Sequence, residues 1–332
     1  MTWFSTLTGI DVETPQNVNE HLYLDGSYLV SNANQQRFLV GDLTLPNLAT
    51  MRAETVQGEG LISVNEIVAN VQDLHIDKAN AGAAFQVASQ FNLLEMISPS
   101  VTPRDGVGRY ENDRTQGPAC AIACGAGTIY RNYFMPVDKQ IGQLGSNQID
   151  GLKDIAIALK NHENNYWEMR NGYALPTEGG LERLNRVMAG MSPQKIDELR
   201  SLLSIGVHAD TEVTLQNTSH CVTQIYCSAM PVSYGRDAPS LWQNIATLVL
   251  EAAYEATLLA ALQNSFKTGN KRVFLTLLGG GAFGNKSTWI IDAILRALKV
   301  MKHADLDVFL VSYSAGNAVA GKIIERWNEE AG

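Results

Sequence analysis

The sequence contains few cysteines and no excess of basic residues. Four of its 332 residues are cysteine, whereas small secreted domains held together by disulfides are rich in this residue. Lys and Arg number 25 against 34 Asp and Glu, which gives a formal net charge of -9. A protein that binds nucleic acid through a broad surface needs an excess of cations to neutralise the phosphates. These deficits argue against a disulfide scaffold and against broad nucleic-acid binding.

Two targeting signals are also missing from the sequence. No window reaches about 18 uninterrupted apolar residues, so no membrane span and no membrane partner are predicted. The N-terminal stretch MTWFSTLTGIDVETP has no cationic region followed by an apolar segment, so we expect no signal peptide. Together with the few cysteines, these features predict a cytoplasmic protein with reduced thiols.

Patterns typical of metal and nucleophile chemistry do not occur. The six histidines form no HxH, HxxxH or HExxH pattern, and no GxSxG turn is found. Cys120 and Cys124 form a CxxxC pair, but they lie in the apolar run ACAIACGAG with no histidine at zinc-site spacing. We therefore expect buried free thiols, no bound metal and no cofactor.

What the sequence does contain is an α/β pattern that follows a β-rich segment. Residues 1–60 alternate short β-prone runs with turn signals and are predicted to form a β-rich N-terminal extension. The order strand–helix–strand–helix–strand near the C-terminus predicts that residues 61–332 form one α/β domain around a mixed, mostly parallel central sheet flanked by helices. The more polar region 138–210 is predicted to be a partly helical insertion, for which a lid over a ligand crevice is a reasonable role.

A glycine-rich loop lies between a predicted strand and a predicted helix in the stretch LTLLGGGAFGNKSTW, residues 275–289. Such a loop exposes backbone N–H groups beside the positive end of a helix, which suits a diphosphate. A P-loop does not fit, because Asn285 separates Gly284 from Lys286. An ordinary dinucleotide fold does not fit either, because the loop comes too late in the chain. A tight turn with no ligand remains an alternative. The candidate ligand contacts are Gly279, Gly280, Gly281, Ala282, Phe283, Gly284 and Asn285.

A second small-residue loop is predicted in DLHIDKANAGAAFQVASQFN, which we interpret as strand, loop and helix. Two such loops at the C-terminal ends of adjacent strands would form the crevice in which open α/β sheets bind ligands. Side-chain amides suit ribose hydroxyls because they both donate and accept hydrogen bonds. The candidates from this stretch and the residues after it are Asp77, Asn80, Ala81, Gly82, Gln86, Gln90 and Asn92.

The unit VFLTLLGGGAFGN, the helix after it and the strand DVFLVSYS resemble the second ligand loop and the last strands of macrodomains, which bind ADP-ribose. The resemblance is strongest to the divergent branch that includes microbial poly(ADP-ribose) glycohydrolases. It covers roughly residues 60–320 and leaves 138–210 unmatched. It implies a three-layer sandwich, with the loop from Gly279 to Gly284 around the diphosphate and Phe283 as its aromatic residue. It also implies that Asn80–Gly82 belong to the first ligand loop.

The chain departs from the glycohydrolase pattern in that first loop. These enzymes carry a glycine triplet followed by Gln-Glu-Glu, whose glutamate acts as a general acid and base. This chain has Gln90-Phe-Asn92-Leu-Leu-Glu95 and lacks the paired glutamates. Glu95 is therefore a candidate catalytic residue together with Asp77, and the alternative for Glu95 is a solvent-facing position on a helix.

Two further segments resemble parts of the macrodomain site. RYENDRTQGPACAIACGAG is similar to the stretch that lines the distal part of the site, which makes Thr115 and Gln116 candidate contacts. Tyr313, after the last predicted strand, is where an aromatic ring would stack on the adenine or the distal ribose. Each has a plain alternative, a polar turn for the first and a core-edge tyrosine for the second.

Three hypotheses for function follow. The resemblance implies binding of ADP-ribose or a related NAD-derived nucleotide, with hydrolysis of an N- or O-glycosidic ADP-ribosyl bond and an ADP-ribosylated protein as partner. The same pocket without turnover would make the protein a binding or sequestering module. In a purely structural α/β protein, the glycines would serve only as turns.

Overall fold

The computed structural model describes residues 2–56 and 58–331. The N-terminal part combines strands with short helices whose first turns are capped by Thr2, Thr14 and Asn47, each accepting a hydrogen bond from a backbone N–H three residues on. The helices were not expected within the β-rich extension, except for the one that begins after Asn47. The elements are α1 (Trp3–Thr8), α2 (Pro15–His21), β1 (Leu22–Asp25), β2 (Tyr28–Ser31), β3 (Arg37–Leu39), β4 (Asp42–Thr44) and α3 (Leu48–Glu54).

The next part of the chain begins with strands and helices in alternation and ends with two consecutive helices and a two-stranded ribbon. Its elements are β5 (Ser63–Val68), α4 (Val71–Ile76), β6 (Ala84–Ala88), α5 (Gln116–Ala123), α6 (Gly125–Tyr133), β7 (Pro136–Val137) and β8 (Gln140–Ile141). The stretch interpreted as strand, loop and helix is therefore helix, loop and strand. Asn70 begins α4 by accepting from the Gln72 N–H at 3.0 Å, and the apolar run that follows forms the buried strand β6.

Region 138–210 is partly helical, as expected, and contains a hairpin. Asn171 and Gly172 both have positive φ angles, 47° and 79°, which is the conformation that Asn-Gly adopts in a two-residue hairpin turn. The last residues of region 138–210 form the start of strand β11 (Gly206–Glu212). The elements up to the next strand are α7 (Lys153–Ala158), β9 (Trp167–Arg170), β10 (Tyr173–Pro176), α8 (Gly180–Ala189), α9 (Pro193–Ser201), β11 (Gly206–Glu212) and β12 (Cys221–Cys227).

The C-terminal part follows the predicted order of elements. These are α10 (Pro239–Thr268), β13 (Arg272–Leu275), α11 (Ser287–Val300), β14 (Asp307–Ser312) and α12 (Ala318–Ala331). Helix α10 is long and apolar enough to cross a membrane, but 89% of its most apolar stretch is buried inside the protein. Burial of this kind is typical of the central helix of a water-soluble protein.

A seven-stranded sheet in the order β4-β11-β12-β6-β13-β14-β5 organises the molecule. β12, β6, β13, β14 and β5 are parallel neighbours, whereas β4 and β11 pair antiparallel at one edge. The prediction of a mixed, mostly parallel central sheet flanked by helices is confirmed.

Helices cover both faces of this sheet, so that each of the five parallel strands contributes to two cores. In β6, Ala84 belongs to the core shared with α10 and α11. Phe85 and Val87 belong to the core shared with α4 and α5. Because neighbouring side chains point to opposite faces, a strand buried on both faces is mainly apolar. The carboxyl ends of the five parallel strands meet at one edge of the sheet.

Candidate functional site

The candidate site lies where β6 and β13 separate. The two strands pair only at Val273 with Ala84 and at Phe274 with Phe85, whereas β6 remains paired with β12 as far as Ala88. Beyond Phe85 the backbone of β6 therefore needs other hydrogen-bond partners on its β13 side.

Two glutamine side chains satisfy the backbone where the strands separate, Gln116 on β6 and Gln86 on the segment after β13. Gln116, the first residue of α5, donates to the carbonyl of Gln86 at 2.8 Å and accepts from the Ala88 N–H at 3.1 Å. The buried Gln86 side chain accepts from the Thr276 N–H at 3.3 Å. The amides satisfy the parted strands, and an opening remains at their carboxyl ends.

A pocket of about 440 Å³ occupies this opening. Its walls are the loop 89–97 after β6, the residues 112–118 that lead into α5, and the loop 276–283 after β13. Tyr173 and Tyr234 close one side. The position, at the carboxyl ends of adjacent parallel strands, is where open α/β sheets bind ligands, and the volume lies in the range of small-molecule sites.

Side-chain amides fix the loop after β6. Gln90 accepts from the Met96 N–H at 2.8 Å, which folds the loop back on itself. Asn92 accepts from the Leu94 N–H at 3.2 Å and donates to Gln148 at 2.9 Å. Gln90 lies on the pocket wall, whereas Asn92 is fully buried behind it.

Glu95 is a buried carboxyl at this wall. The residue is 3% exposed, and neither carboxyl oxygen has a hydrogen-bond partner among the described residues. Burial raises the pKa of Glu95 to about 8, against the opposing charge of Arg131. The side chain is therefore mainly a neutral acid at pH 7. Glu95 lies in a loop, so the alternative of a solvent-facing helical position is wrong.

Arg131 of α6 provides the charge behind Glu95. Its Nη2 lies 3.8 Å from Glu95 Oε1, and both side chains are buried. The guanidinium donates to the Leu93 carbonyl at 3.1 Å and lies 3.8 Å from the centre of the Tyr226 ring. Burial first, and then the Arg131 charge, lowers the pKa of the adjacent His208 to about 3, so this histidine is neutral. Arg131 is thus held in place by the Leu93 carbonyl and the Tyr226 ring, with Glu95 as its nearest carboxyl group.

Gly117 permits the close approach of α5 to the strand end. A Cβ atom at this position would lie 1.9 Å from the Ala88 carbonyl oxygen and 3.3 Å from Glu95 Cγ. The preceding Thr115 is exposed on the pocket wall, and its N–H donates to Asp113 Oδ1 at 2.9 Å. Thr115 and Gln116, both candidates from the sequence, lie together here.

The glycine-rich loop after β13 forms the facing part of the pocket. Gly279 and Gly284 have φ angles of 73° and 70°, a conformation that favours glycine. The N–H groups of Gly281, Ala282 and Phe283 are not used in any hydrogen bond within the described chain, and all three residues line the pocket. Neighbouring free N–H groups of this kind form an anion-binding surface.

Three aromatic rings form the remaining wall. The ring centres of Tyr173, Tyr234 and Phe283 are 5.0 to 5.6 Å apart in each pair. The Tyr173 hydroxyl donates to the Met96 carbonyl at 2.5 Å, which ties the hairpin of region 138–210 to the loop after β6. Sequence reasoning missed both tyrosines. The hairpin signal Asn171-Gly172 precedes Tyr173, but nothing in the sequence connects that hairpin to the pocket.

The loop Asp77–Gly82 lies at the opposite end of the sheet, which corrects the expectation that it shares the site. It precedes β6 instead of following a strand. Asp77 is exposed and accepts from the Ala79 N–H at 2.9 Å. The buried Asn80 donates to the Leu74 carbonyl and accepts from Arg272, each at 2.9 Å. Asp77, Asn80, Ala81 and Gly82 are therefore structural here, and Asp77 cannot act in the pocket.

The remaining candidates do not line the pocket. Tyr313 is 77% exposed beyond the end of β14. Gly280 faces a separate cavity of about 360 Å³ on the other side of the glycine loop. Asn285 donates to the carbonyl of Met230 at 2.8 Å and anchors that loop. The candidates that support the pocket from behind are Gln86, Asn92, Gly284 and Asn285.

All four cysteines are free thiols. Cys120, Cys124 and Cys227 are buried free thiols, and Cys221 is half-buried. In residues 2–56 and 58–331, no group of three or more His, Cys, Asp or Glu side chains is arranged to hold a metal ion.

No protein-family model matches this sequence, and no curated protein does either. Solved structures of bacterial poly(ADP-ribose) glycohydrolases are similar to the chain. The enzyme from Thermomonospora curvata is 11% identical, covers 94% of this chain and 95% of its own, and gives a TM-score of 0.46. The enzyme from Deinococcus radiodurans in complex with ADP-ribose is 9% identical. The match covers 87% of this chain and 94% of that enzyme, with a TM-score of 0.42. Both are of the class that the sequence resemblance named.

Proposed function

We propose that the pocket binds ADP-ribose or a related NAD-derived nucleotide. The observation that carries this proposal is the presence of free N–H groups at Gly281, Ala282 and Phe283 in the pocket that Glu95 also lines. Backbone donors of a glycine loop suit a diphosphate. The resemblance of residues 275–289 to a macrodomain ligand loop supports the same ligand.

The other walls fit the rest of such a molecule. Tyr173, Tyr234 and Phe283 offer apolar ring surfaces against which a sugar or a base can pack. Thr115 and Gln90 add polar atoms near the same opening, and hydroxyl and amide groups pair with ribose hydroxyls. A pocket that is mainly apolar with a few fixed polar groups is the usual form of a small-molecule site.

Cleavage of an ADP-ribosyl bond is a second candidate function, and Glu95 favours it. A general acid must carry its proton at the working pH, and burial raises the pKa of Glu95 to about 8. The acid would give its proton to the leaving oxygen or nitrogen as the bond to the anomeric carbon breaks. Water would then attack that carbon and return a proton to the carboxylate. Neighbouring atoms cover both oxygens, so Glu95 must rotate to reach a substrate.

Titration calorimetry with ADP-ribose tests binding. We expect binding by the native protein and loss of binding in Gly281→Trp, because the larger side chain would occupy the pocket. A Cβ at Gly281 meets no atom within 4 Å, so the variant should fold. Gly321→Trp, at another open position on α12, is the control and should bind normally. The proposal fails if millimolar ADP-ribose does not bind, or if Gly281→Trp binds with native affinity.

Product analysis with NAD, O-acetyl-ADP-ribose and an ADP-ribosylated protein tests cleavage. We expect Glu95→Gln to keep ligand binding and lose turnover, because the amide has the same shape but cannot donate an acidic proton. Asp77→Asn, at the opposite end of the sheet, should keep full turnover. Binding without turnover of any of the three compounds would remove the cleavage reaction and leave a binding module.

A further inference from the structure

Charged side chains are few on the pocket wall, and one of them is a cation. The charged side chains that line it are Glu95, Asp113 and Arg114. Glu95 is mainly neutral at pH 7, and Asp113 accepts from the Thr115 N–H at 2.9 Å. Among the described residues that line the pocket, Arg114 is thus the one cation. A diphosphate would bring about two negative charges into a protein whose net charge is already -9.

Arg114 is free to meet a ligand. Within the described chain its guanidinium forms no ion pair and no hydrogen bond, and the side chain is exposed. The nearby Arg109 differs, because its Nη1 lies 3.6 Å from Asp105. Arg131 differs too, because its guanidinium is buried and used within the protein.

The backbone at Arg114 is fixed although its side chain is free. Asp113 directly follows a short 3₁₀ turn and Thr115 directly precedes α5, and the hydrogen bond between these two residues spans Arg114. The side chain therefore starts from a defined point on the pocket wall. The N–H groups of the glycine loop start from a different wall, after β13.

We propose that Arg114 is the residue that selects phosphate-bearing ligands in this pocket. A guanidinium can donate two parallel hydrogen bonds to phosphate oxygens, which a backbone N–H group or an ammonium cannot do. Arg114 and the glycine loop would hold the diphosphate from two walls. The inference rests on the proposed function, since it takes the ligand to carry a diphosphate.

The test is calorimetry at several salt concentrations with ADP-ribose, inorganic pyrophosphate and adenosine. We expect Arg114→Gln to weaken ADP-ribose binding by about 10- to 100-fold and to reduce its dependence on salt. The affinity of Arg114→Lys for ADP-ribose should lie between those of the native protein and Arg114→Gln. Adenosine, which has no phosphate, should bind native protein and Arg114→Gln alike. Arg109→Gln, which removes a nearby exposed arginine outside the pocket, should bind ADP-ribose as the native protein does.

The outcomes separate this inference from the proposed function. Affinity of Arg114→Gln for ADP-ribose within about twofold of native would overturn the inference and leave nucleotide binding intact. If ADP-ribose fails to bind but pyrophosphate binds in an Arg114-dependent manner, the proposed function falls and phosphate recognition stands. Binding of neither compound overturns both.

Discussion

At the scale of single residues, Glu95 stands out because both of its carboxyl oxygens are buried without a hydrogen-bond partner among the described residues. An ionised carboxyl out of contact with water and without hydrogen bonds is costly. Arg131 offsets part of that cost from 3.8 Å, but it makes no hydrogen bond to Glu95. The folded protein therefore favours the protonated form, and this is the physical cause of the raised pKa.

This raised pKa predicts how stability changes with pH. Between about pH 4.5 and 8, Glu95 keeps its proton in the folded state and loses it on unfolding. The contribution of Glu95 to the free energy of unfolding is therefore fully present below about pH 4.5. It is lost as the pH rises to about 8, at a rate of at most about 1.4 kcal/mol per pH unit. Urea unfolding of native protein and Glu95→Gln at pH 5, 6, 7 and 8 measures it. We expect the variant to gain stability relative to the native protein as the pH rises, and a constant difference would contradict the prediction.

Gly117 gives a second prediction at this scale. Gly117→Ala should destabilise the protein by about 2 kcal/mol or more, because its Cβ would lie 1.9 Å from a backbone oxygen that cannot move aside. Gly281→Ala is the matched control, since open space surrounds that position. Thermal unfolding measures the melting temperatures of the two variants. Equal melting temperatures would show that α5 can shift away from Ala88.

At the scale of elements, the C-terminal part could be predicted from its sequence. Helix α11 alternates polar and apolar residues with helical period, and the apolar runs of β13 and β14 are bounded by Gly269-Asn270 and Ser314. The glycine loop was therefore placed correctly, at the carboxyl end of β13. Its free N–H groups follow from the backbone conformation that the glycines permit.

The sequence around β6 favours a helix where the structure has a strand, and the reason is physical. β6 is buried on both faces, so the period-two pattern that identifies a strand is absent. Phe85, Ala88 and Phe91 happen to lie at helical spacing. That error moved Asp77–Gly82 to the wrong end of the sheet. The burial of Glu95 and the position of Tyr173 depend on contacts between distant segments, which local patterns do not encode.

The parting of β6 and β13 leads to a prediction about Gln116. Gln116→Met keeps much of the side-chain volume but leaves the Gln86 carbonyl and the Ala88 N–H without their partner. We expect a loss of about 2–6 kcal/mol, since each of the two unsatisfied groups costs about 1–3 kcal/mol. Urea unfolding measures the loss, and Thr115→Val, at the exposed neighbouring position, should be nearly neutral. A loss below about 0.5 kcal/mol in Gln116→Met would mean that water replaces the amide.

At the scale of the whole molecule, a network of ion pairs joins four helices on one face of the sheet. Glu255 of α10 is 1% exposed in its side chain and pairs with Arg52 of α3 at 2.5 Å and with Arg296 of α11 at 2.6 Å. Asp197 of α9 pairs with Arg52 at 2.9 Å and with Arg200 at 2.5 Å. The network connects α3 from the N-terminal part to the C-terminal helices.

The acid groups of this network respond to pH in the direction opposite to Glu95. Burial works to raise the pKa of Glu255, but its hydrogen bonds to Arg52 and Arg296 outweigh burial and lower it. Hydrogen bonding to Arg52 is the main cause that lowers the pKa of Asp197 to about 2. A lowered folded pKa contributes stability above the unfolded pKa and loses it as the pH falls through the folded value. Loss of charge on these two groups should therefore destabilise the protein as the pH falls, whereas loss of the Glu95 proton destabilises it as the pH rises.

Glu255→Gln tests the network itself. The substitution leaves Arg52 and Arg296 facing a neutral group, but both keep Asp197 as an anionic partner. We therefore expect a loss of about 1–3 kcal/mol at pH 7. Asp25→Asn is the control, because its pair with Arg37 is exposed on both sides and should contribute under about 1 kcal/mol. Urea unfolding at pH 7 and pH 3 distinguishes the cause. If the charge of Glu255 carries the stability, the difference between native protein and Glu255→Gln narrows at pH 3. An equal loss at both pH values would instead assign the effect to altered packing around α10.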